Sequence, residues 1–384
     1  MNLEIARLGT TIFERMSRLA HDHGAINLGQ GFPDAPGPPL LLEAAARALR
    51  DRSSQYPPMR GLPELRAAVA AYYAAHQRLD IAEEEVIITS GATEALAATL
   101  FALLNPGDEV ILFQPLYDAY GPLVKRAGAI PRYVNLKPPH WHLPLEKVEA
   151  RITPRTRLLL LNSPHNPTGS LIGAGEWKQL GEICDRHNLI LVCDEVWEAM
   201  IFDGAAHCSP LAEPSLRGRT VKIGSAGKIF SLTGWKVGWA CAAPPLAETI
   251  ARMHQYLTFT TPPALQWAVA EGLALPPSWH RDHREQHMSG RRLLAEGLAE
   301  ASYAVHLGAA TWFLLVDLHQ SGIQMADRDF CERLVQDGGV AAIPFSAFYD
   351  QQPETRFVRF CFTKSPMALE AATRRLAAFR EALA

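Results

Sequence analysis

Val221-Lys222-Ile223-Gly224-Ser225-Ala226-Gly227-Lys228-Ile229-Phe230-Ser231-Leu232-Thr233-Gly234-Trp235-Lys236-Val237-Gly238 is the stretch that decides how this chain reads. It opens as a short β-rich apolar run, breaks at a small-residue turn and sets a lysine on that turn. A nucleotide-binding P-loop also ends in Gly-Lys. That motif would need a glycine where Lys222 stands and a Ser or Thr where Ile229 stands, so it fails. An isolated lysine after a strand reads as a surface charge. Lys228 is not isolated, because Ser225 and the Gly-Trp-Lys-Val-Gly run containing Lys236 flank it closely.

Runs of the same kind recur at 86–89, 110–113, 158–161, 190–193 and 237–241, with helical patterns such as 92–104 and 174–187 between them. This alternation predicts an α/β domain with a mostly parallel sheet. Proline-rich punctuation at 32–39, 262–263 and 276–277 frames the block. Beyond it the pattern predicts a helix over 281–301, strands at 311–318 and 356–362, and a final helix over 366–383. The expected plan is a large domain over 42–278 and a smaller α+β domain built from 1–41 and 279–384.

The 384 residues exceed one ordinary domain, and 48% apolar residues supply a substantial core. A net charge of −3 provides no basic field for nucleic acid or anionic lipid. No run of about 18 apolar residues suits a membrane, and the first residues lack a signal-peptide pattern. Cys193, Cys241 and Cys361 sit inside apolar runs without a CxxC pair, as buried thiols of a reducing compartment do. The expectation is a soluble cytoplasmic protein with neither nucleic-acid nor membrane partners.

Asn166, Asp194 and Lys228 each fall at or just past a predicted strand end, where open α/β sheets bind ligands. Ser90-Gly91-Ala92-Thr93 joins a strand to a helix. Its glycine turn, uncapped N–H groups and Thr93 hydroxyl suit a phosphate, although a plain helix cap explains such a turn as well. His280, His283 and His287 have the spacing of a metal site. They lie in the charged run HRDHREQH without His-Glu-x-x-His, so a solvated helix face and no metal are expected. No Gly-x-Ser-x-Gly elbow supports a hydrolase.

The Ser-x-Gly-Lys and Gly-Trp-Lys-x-Gly pair resembles the lysine signature of class I aminotransferases. Asn162-Ser163-Pro164-His165-Asn166-Pro167-Thr168-Gly169 and Cys193-Asp194-Glu195-Val196 resemble two further motifs of that family, in the same order. Gly29-Gln30-Gly31-Phe32-Pro33-Asp34 and Arg356-Phe357-Val358-Arg359-Phe360-Cys361-Phe362 resemble its two ends, so the likeness runs from about residue 26 to the C-terminus.

The resemblance implies a fold type I enzyme with a mostly parallel seven-stranded sheet and a homodimer with shared active sites. The cofactor would be pyridoxal 5'-phosphate, and the substrates an amino acid and a 2-oxo acid. Lys228 would hold the cofactor aldehyde as a Schiff base, and once freed would move a proton at the substrate Cα. Asp194 would face the pyridine nitrogen, Asn166 would donate to the ring 3'-oxygen, and Tyr117 would stack on the ring. Gly91, Ala92, Thr93, Ser225 and Lys236 would hold the phosphate, with Tyr56 reaching it from the partner subunit. Arg359 and the Gly31 N–H would bind the substrate α-carboxylate. A cis Asn166-Pro167 peptide bond is expected.

Two positions depart from the family pattern. Trp197 stands where a tyrosine ordinarily bonds the 3'-oxygen, and Ile229 replaces a threonine. An indole N–H donates but does not accept or ionise near neutrality. The Gly29-Gln30-Gly31-Phe32-Pro33-Asp34 and Ala341-Ala342-Ile343-Pro344-Phe345-Ser346-Ala347-Phe348 runs resemble the kynurenine, glutamine and methionine aminotransferase branch. Phe13, Phe32, Phe259 and Phe345 are the expected side-chain pocket, suited to large neutral amino acids. A β-lyase acting on cysteine conjugates would use the same core residues and stays open. A non-catalytic regulatory protein is the remote alternative, since such regulators add an N-terminal DNA-binding module.

Overall fold

The computed structural model describes residues 9–351, 353 and 355–383; the first eight residues of the expected N-terminal segment lie outside them. The strands in chain order are Ile26–Asn27 (β1), Val86–Thr89 (β2), Glu109–Gln114 (β3), Ile130–Asn135 (β4), Thr156–Asn162 (β5), Ile190–Asp194 (β6), Thr220–Ser225 (β7) and Gly238–Ala242 (β8). Strands β2 to β8 form one seven-stranded sheet in the order β2-β8-β7-β6-β5-β3-β4. Only the pairings of β8 are antiparallel. Strands β3, β5, β6 and β7 are buried almost throughout. Covered on both faces, they read as near-continuous apolar runs rather than alternating ones. The edge strand β4 escapes that reading because it is half exposed and carries Pro131.

This topology positions the site. From β3 the chain moves outward to β4, then returns to β5 and continues the other way. The order reverses between β3 and β5, and ligands bind beyond the carboxyl ends of strands at such a point. Because β8 runs antiparallel, Gly238 pairs with both Thr89 and Ser225. Lys236, just before β8, therefore reaches the same edge as residues that follow β2 and β7.

The C-terminal half adds Ala304–Leu307 (β9), Phe313–Asp317 (β10), Val340–Ala341 (β11), Ile343–Pro344 (β12) and Phe357–Cys361 (β13). A separate four-stranded antiparallel sheet has the order β12-β13-β10-β9. Strand β1 pairs in parallel with β11, which ties the N-terminal stretch to this second body.

Helix Pro277–Glu300 corrects one expectation, for His280 and His287 are buried. His287 Nε2 lies 3.2 Å from Ser231 Oγ, and its Nδ1 lies 2.9 Å from Thr363 Oγ1. His283 Nε2 is 3.0 Å from the same Ser231 hydroxyl. Burial pushes His280 and His283 down to about 4 and His287 to about 3, so all three are neutral. The charges around them concealed a face that packs onto the loop after β7.

A buried ionic network lies next to Asp194. Lys222 Nζ, on β7, sits 2.6 Å from both Glu195 Oε2 and Glu198 Oε2. His207 Nε2 meets Glu195 at 2.6 Å, and the Tyr73 hydroxyl donates to Glu198 at 2.8 Å. Glu195, Glu198 and His207 are close enough to surround a metal ion, but the Lys222 ammonium already bridges the two carboxylates. Burial alone would pull the Lys222 ammonium down; the two glutamates outweigh it and raise it. Removing one member of such a set strands the other charges. Lys222→Met is expected to lower the unfolding free energy by about 3–5 kcal/mol in urea melts at pH 7. A loss below about 1 kcal/mol would show that the two carboxylates do not depend on it.

Candidate active site

The loops at the carboxyl edge of the large sheet and the face of β13 enclose a cavity of about 840 Å³. Lys228, Asp194, Tyr117, Asn166, Gly91, Ala92, Thr93, Ser225, Lys236, Trp197, Gly31, Phe32, Phe13 and Arg359 all line it. A wider groove of about 1160 Å³ beside helix Pro277–Glu300 holds none of these residues.

Lys228 projects from the one-turn helix Ala226–Ile229. Its Nζ lies 3.3 Å from the Gly31 carbonyl oxygen and over the faces of Trp197 and Trp312, at 4.6 and 5.0 Å. Burial, helped by the positive charges of Arg359 and Lys236, pushes it down to about 8. A far larger share of the amine is thus free of its proton near neutral pH than in an ordinary lysine at 10.5.

Asp194 ends β6. Its Oδ2 accepts from the Tyr120 hydroxyl at 2.6 Å, and its Oδ1 from the Val196 N–H at 3.2 Å. Burial raises the carboxyl to about 6 despite these bonds, which leaves it ionised at pH 7. Tyr120 was not singled out from sequence; its only signal there was proximity to Tyr117. Asn162 is a second addition. Its Nδ2 donates to the Asp194 carbonyl at 2.6 Å and its Oδ1 accepts from the Asn166 N–H at 2.7 Å, which couples two of the site loops.

Arg359 lies fully buried in the middle of β13, opposite Leu315 and Ile343. One Nη donates to Asn166 Oδ1 and the other to the Gly29 carbonyl, each at 2.8 Å. Its Nε has no partner among the described residues. With the Asn166 oxygen committed to Arg359, the Asn166 amide NH₂ is the end left to donate. The Asn166-Pro167 bond is cis, as expected.

Two expected pocket residues stand elsewhere. Phe345 is 1% exposed and packs against Trp141, Phe348, Tyr349 and Phe357 inside the smaller body, while Ala347 reaches the cavity wall. Its run begins a 3₁₀ turn, and two residues along that turn Ala347 takes its place at the cavity. Phe259 does not line the cavity of its own chain. It is 42% exposed and meets Tyr56, itself 83% exposed, edge to face at 5.5 Å. Trp197 does face the cavity, with its ring wedged against Trp312 and Phe313 at 4.9 and 5.3 Å. Ile229 is buried, as a packing residue should be.

The residues present fit pyridoxal phosphate. Helix Ala92–Leu103 starts at Gly91 (φ 79°) with no side-chain cap, so its first N–H groups are available to an anion. A Cβ at position 91 would stand 3.2 Å from Lys236 Nζ, and one at position 238 would stand 2.7 Å from the Gly91 carbonyl carbon. Only glycines allow this close cradle of backbone amides and one ammonium. The Asp194 carboxylate could pair with a pyridine nitrogen, and the depressed Lys228 amine could take an aldehyde.

The family model described as aminotransferase class I and II matches residues 23–376. A Mycobacterium tuberculosis protein named probable N-succinyldiaminopimelate aminotransferase is 42% identical over 97% of this chain and 96% of its own length. The methionine aminotransferase of Escherichia coli K12 is 39% identical over 97% of each chain. A solved structure of an Escherichia coli protein with a methionine aminotransferase function superposes with a TM-score of 0.94 at 38% identity, covering 98% of both chains. The cradle, the buried amine and these matches over nearly the whole length agree: the chain belongs to the class I and II aminotransferases, which depend on pyridoxal phosphate.

Proposed function

We propose that this aminotransferase takes its amino group from a large neutral amino acid, of the methionine, aromatic, glutamine or kynurenine type. The observation that carries this reading is the charge inventory of the cavity. Among the described residues its basic side chains are Lys228, Lys236 and Arg359. The cofactor claims the two lysines, and the α-carboxylate claims the arginine. Among the described residues no further cation lines the wall for a second carboxylate; Phe13, Phe32, Ala347 and Tyr117 line it instead, with Asp118 as an added negative charge. A dicarboxylic side chain would lose its hydration there without compensation. The same inventory argues against the distal carboxylates of an N-succinyldiaminopimelate-type substrate.

When bound, the cofactor supplies an electron sink for the pair left at Cα. Arg359 receives the α-carboxylate through the hydrogens not used by Asn166 and Gly29, and a forked contact of this kind orients the Cα–H bond. Lys228, neutral above about pH 8, takes and returns the proton at Cα. Asp194, held by Tyr120 and the Val196 N–H, keeps a negative charge against the ring nitrogen. Asn166 donates its NH₂ to the ring oxygen, and Tyr117 covers the ring face.

The exposed Tyr56–Phe259 pair, with Tyr256 79% exposed nearby in sequence, supports a homodimer in which Tyr56 completes the partner's phosphate site. Six free cysteines, five of them buried, support a reducing cytoplasm. No described helix is long and apolar enough to cross a membrane.

Purified protein loaded with pyridoxal phosphate is expected to show a visible absorption band that Lys228→Ala abolishes. In a panel of methionine, phenylalanine, glutamine, kynurenine, N-succinyldiaminopimelate and aspartate, one of the first four should lead in kcat/KM. Fast turnover of aspartate alone would refute the neutral-pocket reading, and pyruvate released from a cysteine conjugate without a 2-oxo acid would redirect it to β-elimination.

A second expectation concerns the cofactor-free protein. Lys228 is lowered from an ordinary 10.5 to about 8 on folding. The unfolded chain therefore binds the extra proton between those pH values, and wild-type stability falls as pH drops from 10.5 to 8. Lys228→Met should be more stable than wild type at pH 7 by about 3 kcal/mol, with the gap closing towards pH 10.5. Denaturant melts at pH 7 and pH 10 check this; a gap that does not change with pH would show that Lys228 is not held neutral by burial.

A further inference from the structure

The guanidinium of Arg359 is buried with no carboxylate within ion-pair distance among the described residues. A charge so placed needs other compensation. The Arg359 Cζ lies 3.7 Å from the ring centroid of Phe313, closer than to Phe348 at 5.0 Å or Phe13 at 5.2 Å. Sheet register accounts for this approach. Phe313 opposes Cys361 and Leu315 opposes Arg359, so Phe313 and Arg359 are diagonal neighbours on one face of β10 and β13.

The same ring reaches two other parts of the site. A Cβ on Gly31 would stand 2.6 Å from Phe313 Cζ, so that glycine's missing side chain is the space the ring fills. Trp197 meets Phe313 edge to face at 5.3 Å. Phe313 is thus placed between the loop expected to touch the substrate carboxylate, the guanidinium expected to bind it, and the tryptophan over which Lys228 lies.

We propose that Phe313 is a positioning residue for α-carboxylate recognition: its π face carries the Arg359 guanidinium and holds the plane of the fork towards the substrate. The two hydrogen bonds to Asn166 and Gly29 fix the guanidinium within its plane, and the ring opposes tilting out of it. The negative ring face also offsets part of the desolvation of the charge. This inference rests on the reading of Arg359 as the carboxylate clamp, so the test separates the two.

The full chain, loaded with pyridoxal phosphate, is prepared with 4-fluoro-, 3,5-difluoro- and 3,4,5-trifluorophenylalanine at position 313. These rings keep the shape of phenylalanine and progressively weaken its negative face. Dissociation constants for L-methionine and for 3-(methylthio)propylamine, which lacks the α-carboxylate, are read from the absorbance change of the bound cofactor in the absence of 2-oxo acid. The preference for the amino acid over the amine should fall stepwise, by ~10-fold at the trifluoro ring. Phe313→Leu, which removes the π face, should lose at least as much. An Arg359→Lys control that collapses the preference while the fluorinated series stays flat would overturn this inference alone. An unchanged preference in Arg359→Lys would overturn the clamp reading and this inference with it.

Discussion

Arg359 joins three parts of the chain that are far apart in sequence. Its two hydrogen bonds reach Gly29 near the N-terminus and Asn166 after β5, and its plane rests on Phe313 in β10. A buried cation without a carboxylate tolerates little displacement of these partners, because each lost contact leaves charge in a poorly solvating interior. The smaller sheet, the N-terminal loop and the large sheet therefore meet in one geometry. Gly31 follows from the same constraint, since any side chain there would collide with the ring beneath the guanidinium.

The opposite wall of the cavity is held by a second set of buried charges. Asp194 ends β6, and the segment that follows carries Glu195 and Glu198 down onto Lys222. The carboxylate on one side of that segment and the two on the other are both held by specific donors, Tyr120 and Val196 above, Lys222, His207 and Tyr73 below. Lys228, on the turn after β7, differs from Lys222 on the strand itself. Lys222 meets two carboxylates and stays charged, whereas Lys228 meets aromatic faces and one carbonyl, and burial drives it towards the neutral amine. One strand and the turn after it thus supply a charged, paired lysine and a depressed one, and only their surroundings separate them.

Much of this was legible beforehand. The parallel strands of the large sheet declared themselves because burial on both faces demands unbroken apolar runs. Asp194, Asn166 and Lys228 declared themselves because polar residues at the ends of such runs are otherwise costly. Strand β4 was missed because an edge strand is half wet and need not be apolar. The histidines of helix Pro277–Glu300 were misread because the charges beside them mask a face that packs on Ser231 and Thr363. Phe345 was misplaced by the local turn, in which neighbouring side chains point in very different directions.

By itself the sequence determined the fold class and the family and singled out Lys228 as the candidate cofactor lysine, because strand patterning and the Ser-x-Gly-Lys turn are local and survive without knowledge of contacts. Tertiary structure alone decided that Tyr120 holds Asp194, that Asn162 couples two loops and that Phe313 lies beneath Arg359. These relations join residues as far as 74 positions apart, and their strength depends on distance and burial in the folded chain. It also decided which phenylalanines line the cavity, since a pocket wall and a packed core draw on the same apolar side chains and differ only in what lies opposite.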